Sequence, residues 1–119
     1  VREAHPITLP NDSEPEPDIA VVRAPIRQYL THHPYPADIF WLIEYANTTL
    51  KKDITEKKWV YAEAGIEEYW VVNLQTPELI VFRDLESDTY RAETILTTGN
   101  ISPLSFADIQ IDVTKLFTI

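Results

Sequence analysis

One short run of residues restricts the possible folds of this chain more than any other feature. Residues 69–74 have the sequence Tyr-Trp-Val-Val-Asn-Leu, so a strand formed by them carries apolar side chains on both faces. Such a strand is typical of the centre of a sheet that is covered on both sides. The run therefore predicts a layered domain, with other chain segments packed on each face of a sheet.

The segments around this central strand predict a mixed α/β domain. Apolar or alternating stretches predict four more strands, at residues 18–22, 40–46, 79–83 and 90–96. The last three strands of the chain follow one another with short turns between them, which is typical of an antiparallel meander. Residues 1–17 are rich in proline and predict an irregular lead-in.

The composition restricts the class of protein. Residues 1–119 are the length of one domain, and the absence of cysteine excludes disulfide bonds and thiolate metal sites. A cysteine-free chain suits a reducing compartment, and we expect a cytoplasmic protein without a membrane span. The formal net charge is −9. Nucleic-acid-binding surfaces are usually basic, so this charge argues against a general polyanion-binding surface.

A helix is predicted to follow the strand at residues 40–46. Thr48 or Thr49 can cap its first turn, and its periodic pattern continues to about Ala64. Gly65 comes next, where a left-handed C-terminal cap is usual. The predicted order is therefore two strands, one helix and three further strands.

Lys57 lies in the middle of the apolar face of this helix. At about 100° per residue, one arc of roughly 120° contains Lys57 and the apolar residues Ile54, Val60, Tyr61 and Ala64. A lysine in that position is costly to bury without an anionic partner. It can extend along the surface and pair with Asp53 one turn earlier, or it can point towards the sheet and contact carboxylates there.

Two acidic residues of the predicted strands are candidates for that contact. Glu44 shares a strand face with Phe40 and Leu42, where a charge requires a cation or a metal ion. Asp18 begins the preceding strand, so the two carboxylates converge if these strands are neighbours. Together they can hold Mg²⁺ or Mn²⁺, while a nearby lysine stabilises the charge of an attacked phosphate. Taken alone, each acid can equally be a metal ligand or a solvent-exposed residue at the end of a strand.

The order of these residues resembles that of a known nuclease superfamily. Pro17-Asp18 before an apolar strand, with Glu44 inside the next strand, resembles the PD-(D/E)XK nucleases. Residues 53–72 have the pattern Asp-x-x-x-Lys-x-x-x-Tyr-Ala-Glu-Ala-Gly-Ile-Glu-Glu-Tyr-Trp-Val-Val, which resembles the Uma-type restriction endonuclease family within that superfamily. The similarity extends over about residues 16–83.

The resemblance implies a fold, a cofactor and a set of catalytic residues. The implied fold is a restriction-endonuclease-like mixed sheet with a flanking helix and a C-terminal antiparallel meander. The implied activity is hydrolysis of DNA phosphodiester bonds with Mg²⁺ or Mn²⁺. Carried over by position, Asp18 and Glu44 are expected to be the metal ligands and Lys57 the third catalytic residue.

The chain departs from the simplest form of the superfamily motif at Ala46, where a lysine is usual. In this family the resemblance implies that the lysine comes from the following helix, which is the position of Lys57. Tyr61 is then expected to support Lys57 by packing or a hydrogen bond, and Asp53 to orient it. The family also implies a helix and a strand before Asp18, and we expect this chain to be a fragment that lacks these N-terminal elements. A fragment without them need not be active on its own.

A second function stays open at this point. The chain can be a non-catalytic interaction or dimerisation module that keeps the nuclease fold, which suits its acidic charge and its apolar meander. In that case Asp18, Glu44 and Lys57 have no reason to lie close together. A homodimer is compatible with both functions, because many enzymes that cut both DNA strands act as two-fold pairs.

Overall fold

The computed structural model describes residues 2–3, 7–9, 17–24, 26–46 and 50–118. The predicted helix cap at Thr48 or Thr49 lies outside these residues. Within them the chain forms a six-stranded sheet, a separate pair of short strands, one α-helix and three 3-10 helices. No helix of this described part is both long enough and apolar enough to cross a lipid bilayer.

The strands of the large sheet lie side by side in the order of the sequence. They are β1 (Arg2–Glu3), β2 (Ile19–Val22), β3 (Ile39–Ala46), β4 (Tyr69–Asn73), β5 (Glu78–Glu86) and β6 (Thr89–Leu96). Neighbours are antiparallel except β3 and β4, which are parallel and are joined by the helix α1 (Leu50–Ala64). A parallel pair requires such a crossover. The predicted mixed α/β domain, with a flanking helix and an antiparallel meander of β4, β5 and β6, is confirmed.

The sheet is covered on both faces, as the sequence of β4 predicts. All five residues of β4 are buried. Tyr69 and Val71 pack in a core that includes side chains of α1. Trp70 and Val72 pack on the opposite face, against apolar side chains of residues 99–118, which we call the C-terminal segment. This segment contains the short pair β7 (Asn100–Ile101) and β8 (Ile111–Asp112), and the predicted helix at 112–117 is a 3-10 helix, Val113–Phe117.

Gly65 ends α1 as the sequence predicts. Its φ of 87° is in the left-handed region, which costs glycine no steric strain. The Gly65 N–H donates to the Ala62 carbonyl, and the Ile66 N–H donates to the Tyr61 carbonyl, both at 3.1 Å. This pair of hydrogen bonds is the Schellman motif, which satisfies carbonyl groups that the last turn leaves unpaired. Tyr61 and Ile66 also lie in the same buried cluster.

The expected position of Phe40 on β3 is wrong. The alternation of the strand predicts that Phe40 shares a face with Leu42 and Glu44, but its ring packs on the opposite face, beside Phe106 at a centroid distance of 5.3 Å. The reason is an irregularity in the pairing of β2 with β3, where the register shifts between Val21 and Val22. An extra residue at such a bulge reverses the alternation of side chains.

Within the expected lead-in over residues 1–17, the described stretches 2–3 and 7–9 are more regular than predicted. Arg2–Glu3 form β1 and pair with β2. Ile7 and Leu9 are almost completely buried in the core on the α1 side. The prolines prevent a long strand, but two apolar residues separated by one residue still point to the same side of an extended chain.

Candidate catalytic site

Glu44 is a buried carboxylate that accepts hydrogen bonds from three donors in the described part of the chain. It lies on β3 and its residue is 6% exposed. Glu44 Oε1 accepts hydrogen bonds from Lys57 Nζ at 3.0 Å and from the Tyr61 hydroxyl at 3.2 Å. Glu44 Oε2 accepts one from the Tyr69 hydroxyl at 2.7 Å. These donors offset the cost of removing the carboxylate from water, and one of them is a cation.

The helix α1 presents Lys57 and Tyr61 to Glu44 because residues four apart lie on the same helix face. The predicted contact of Lys57 with a carboxylate of the sheet is confirmed. The Lys57 side chain is 47% exposed, whereas that of Glu44 is 8% exposed. The Lys57 side chain therefore extends from the buried Glu44 carboxylate towards the solvent. Asp53 belongs to α1, but its side chain lies outside the described part, so its orienting role stays a prediction.

Asp18 lies at the same end of the sheet as Glu44. It precedes β2, it is exposed, and its Oδ2 accepts a hydrogen bond from the backbone N–H of Tyr45 at 2.7 Å. Tyr45 is the residue after Glu44, so the two carboxylates come from adjacent positions of neighbouring strands. Burial, and secondarily the Asp18 carboxylate, raise the pKa of Tyr45. The two acids therefore lie at the same end of the sheet, and their convergence on one metal ion stays a prediction.

Two tyrosine hydroxyls of this site stay protonated over a wide range of pH. Burial raises the pKa of both Tyr61 and Tyr69 far above the usual value, and the Glu44 carboxylate raises both further. Asp18 also contributes to the raised pKa of Tyr61. Each hydroxyl therefore remains a hydrogen-bond donor to Glu44 near neutral pH.

The sequence prediction of this site omitted Tyr69. The residue was counted only as an apolar member of the central strand, but it is 1% exposed and its hydroxyl binds Glu44. A signal was present, because a buried tyrosine usually has a partner for its hydroxyl and Glu44 was already expected to need donors.

A second buried acid, Glu68, lies outside the candidate site. It accepts hydrogen bonds from Arg83 Nε at 2.5 Å, from the Trp70 indole N–H at 2.7 Å and from the backbone N–H of Leu104 at 2.8 Å. Arg83 also donates to the carbonyl of Ser102. This network fastens the C-terminal segment to the sheet, and the sequence prediction did not identify it.

The donor set at Asp18 and Glu44 is compatible with a small divalent cation. Among the residues that the structure describes, no group of three or more His, Cys, Asp or Glu residues is placed to hold a metal ion. Mg²⁺ needs fewer protein ligands than that, because it usually keeps several waters and binds one or two carboxylates together with phosphate oxygens. Two carboxylates at one sheet end fit this requirement.

Comparisons with known proteins identify the same family as the sequence pattern. The family model described as "Uma2: Putative restriction endonuclease" matches residues 1–114. A solved structure from Anabaena variabilis ATCC 29413, titled a "putative nuclease belonging to DUF820", matches with a TM-score of 0.69 at 15% sequence identity. The match covers 98% of this chain and 66% of the solved chain, so this chain spans about two thirds of that protein. The fold is therefore that of this nuclease-like structure. A search of curated proteins finds no match.

Proposed function

This chain belongs to the Uma2 restriction endonuclease family, and we propose that it is a metal-dependent endonuclease that hydrolyses phosphodiester bonds in DNA. The observation that supports this proposal most strongly is the ion pair of Lys57 with the buried Glu44, beside Asp18. A lysine and two acids in this arrangement are the groups that phosphodiester hydrolysis with a divalent ion requires.

Asp18 and Glu44 are the proposed ligands of Mg²⁺ or Mn²⁺. When bound, the ion would supply a more acidic water molecule and offset charge on the leaving oxygen. Lys57 has a different proposed role. Its side chain is half exposed, so it can contact a phosphate that approaches from solvent and stabilise the negative charge that develops on it. Tyr61 supports the pair through its hydrogen bond to the Glu44 oxygen that Lys57 also contacts.

The close placement of these residues supports the catalytic proposal over the non-catalytic alternative. In a module that uses the fold only for protein binding, nothing requires Asp18, Glu44 and Lys57 to lie together at one end of the sheet. Burying Glu44 also costs free energy unless its donors offset that cost. We also propose that the protein acts on DNA as a homodimer, because a two-fold pair can cut both strands. The proposed location is the cytoplasm.

Lys57→Met tests the catalytic role of the lysine. We expect the rate of Mn²⁺-dependent cleavage of supercoiled plasmid DNA to fall by about 100-fold, since removal of one charge-stabilising donor has an effect of that size. Lys58→Met is the matched control. Lys58 is the next residue, and it contacts Glu93 at 3.8 Å instead of Glu44. Equal cleavage rates for the two variants would contradict the role proposed for Lys57.

A further inference from the structure

The hydrogen bond from the Tyr69 hydroxyl is the shortest of the three described hydrogen bonds to Glu44. Its length is 2.7 Å, against 3.0 Å for Lys57 and 3.2 Å for Tyr61. Short O–H···O⁻ bonds to an ionised acceptor are stronger than bonds between neutral groups. Tyr69 is also 1% exposed, so water does not compete for its hydroxyl.

The three donors divide unequally between the two oxygens of Glu44. Lys57 and Tyr61 share Oε1, whereas Tyr69 is the donor to Oε2 in the described part of the chain. A carboxylate has about four lone-pair positions, so these three bonds leave one position, on Oε2. By occupying one lone pair of Oε2, the bond from Tyr69 therefore determines which of the two lone pairs stays available to another ligand.

The ring of Tyr69 is itself held in place by its neighbours. It stacks on Phe82 with centroids 5.6 Å apart and makes an edge contact with Tyr61 at 5.0 Å. The backbone of Tyr69 belongs to β4, the central strand, and pairs with Leu42 of β3. The hydroxyl is thus attached to the most constrained part of the sheet, whereas Lys57 is on a flexible, half-exposed side chain.

We propose that Tyr69 is a positioning residue that fixes the Glu44 carboxylate for a divalent cation through its bond to Oε2. This inference rests on the proposed function, because it assigns to Glu44 the role of a metal ligand. Residues that orient a metal ligand through a hydrogen bond typically change metal affinity by 10–100-fold when they are removed. Tyr61 is the weaker positioning residue, because Lys57 holds Oε1 without it.

Tyr69→Phe and Tyr90→Phe form a matched pair for this test. Each substitution removes one buried hydroxyl and leaves the ring. The Tyr90 hydroxyl donates to the Ile66 carbonyl at 2.6 Å and makes no bond to Glu44. Both variants therefore lose a buried hydrogen bond, but only Tyr69→Phe changes the surroundings of the carboxylate.

The measurement is Mn²⁺ affinity by calorimetry, together with the rise in melting temperature that Mn²⁺ causes in each variant. We expect Tyr69→Phe to bind Mn²⁺ at least 10-fold more weakly than the wild type, and Tyr90→Phe to bind like the wild type. In the cleavage assay the Mn²⁺ concentration for half-maximal rate should rise in Tyr69→Phe, while the rate at saturating Mn²⁺ recovers. A purely structural role would not give this recovery.

Glu44→Asp gives a second test that does not depend on the folding of Tyr69→Phe. It keeps the charge but withdraws the carboxylate by one methylene from the Tyr69 hydroxyl, and we expect a similar loss of Mn²⁺ affinity. Wild-type affinity in either Tyr69→Phe or Glu44→Asp would overturn the inference and leave the proposed function intact. A wild-type protein that binds no Mn²⁺ would overturn both.

Discussion

Glu44 and Glu68 are two buried carboxylates with different surroundings. The partner cation of Glu44 is half exposed and belongs to the helix, so its ion pair faces solvent at one side. The partner cation of Glu68 is Arg83, whose side chain is 24% exposed, and the remaining donors are the Trp70 indole and a backbone N–H. The first arrangement is accessible to a phosphate group, and the second is closed. We therefore propose a catalytic role for Glu44 and a stabilising role for Glu68.

Glu68→Gln tests this division. Removal of one partner of a buried pair leaves the other uncompensated, and we expect a loss of about 3 kcal/mol in the free energy of unfolding. Mn²⁺ affinity should not change, because Glu68 is outside the candidate site. Urea denaturation measures the stability.

The control for this substitution is Glu86→Gln. Glu86 pairs with Arg91 at 3.1 Å, and both side chains are more than half exposed. Exposed pairs contribute about 0–1 kcal/mol. The assignment would be wrong if Glu68→Gln cost no more than Glu86→Gln.

The contact between Lys57 and Glu44 was predictable from the sequence for a physical reason. A lysine centred on an apolar helix face and an acid within an apolar strand each carry a desolvation cost, so each had to have a partner. Glu68 and Tyr69 were not predicted, because they lie next to each other in a stretch whose apolar character dominates the pattern. The partner of Tyr69, Glu44, is distant in sequence, and so are two partners of Glu68, Arg83 and Leu104.

At the scale of elements, one crossover unit supplies the site apart from Asp18, which precedes β2. β3 supplies Glu44, α1 supplies Lys57 and Tyr61, and β4 supplies Tyr69. The residues just before α1 lie outside the described part of the chain, and the Schellman motif at Gly65 fixes the end of the helix. That motif also turns the chain from α1 towards β4, so it links the helix that carries Lys57 and Tyr61 to the strand that carries Tyr69.

Gly65→Ala and Gly65→Asn test the cap. An added Cβ would meet no heavy atom within 4 Å, so the cost of either change comes only from the φ of 87°. We expect Gly65→Ala to lower the free energy of unfolding by about 1–2 kcal/mol. Gly65→Asn should cost less, because asparagine tolerates the left-handed region. Equal costs in urea denaturation would indicate that the left-handed conformation does not limit stability.

Element boundaries were predictable where a local rule applies, as at Gly65 and in β4. The side of the sheet on which Phe40 lies was not predictable, because a bulge depends on the pairing of two strands and leaves no local sequence pattern. The sequence of β4 predicts that the second face of the sheet is covered, but the residues that form this cover were not predictable. Its apolar residues in the C-terminal segment follow neither a helical nor a strand period, and they include Ile101, Phe106, Ile111, Leu116 and Phe117.

For the whole molecule, the net charge of −9 is the main feature to reconcile with a DNA substrate. An acidic surface repels phosphate, so the affinity for DNA has to come from a few local contacts and from cations at the site. A divalent ion between two carboxylates and a phosphate supplies such a contact. Binding of the ion by Asp18 and Glu44 is therefore the central claim of this account.

Calorimetric titration of Mn²⁺ into the wild type, Asp18→Asn, Glu44→Gln and the control Glu86→Gln tests that claim most directly. The account predicts that the wild type and Glu86→Gln bind Mn²⁺ with equal affinity, and that Asp18→Asn and Glu44→Gln each bind at least 10-fold more weakly, as expected for the loss of a charged ligand. Equal affinities in all four proteins, or no binding by the wild type, would contradict it.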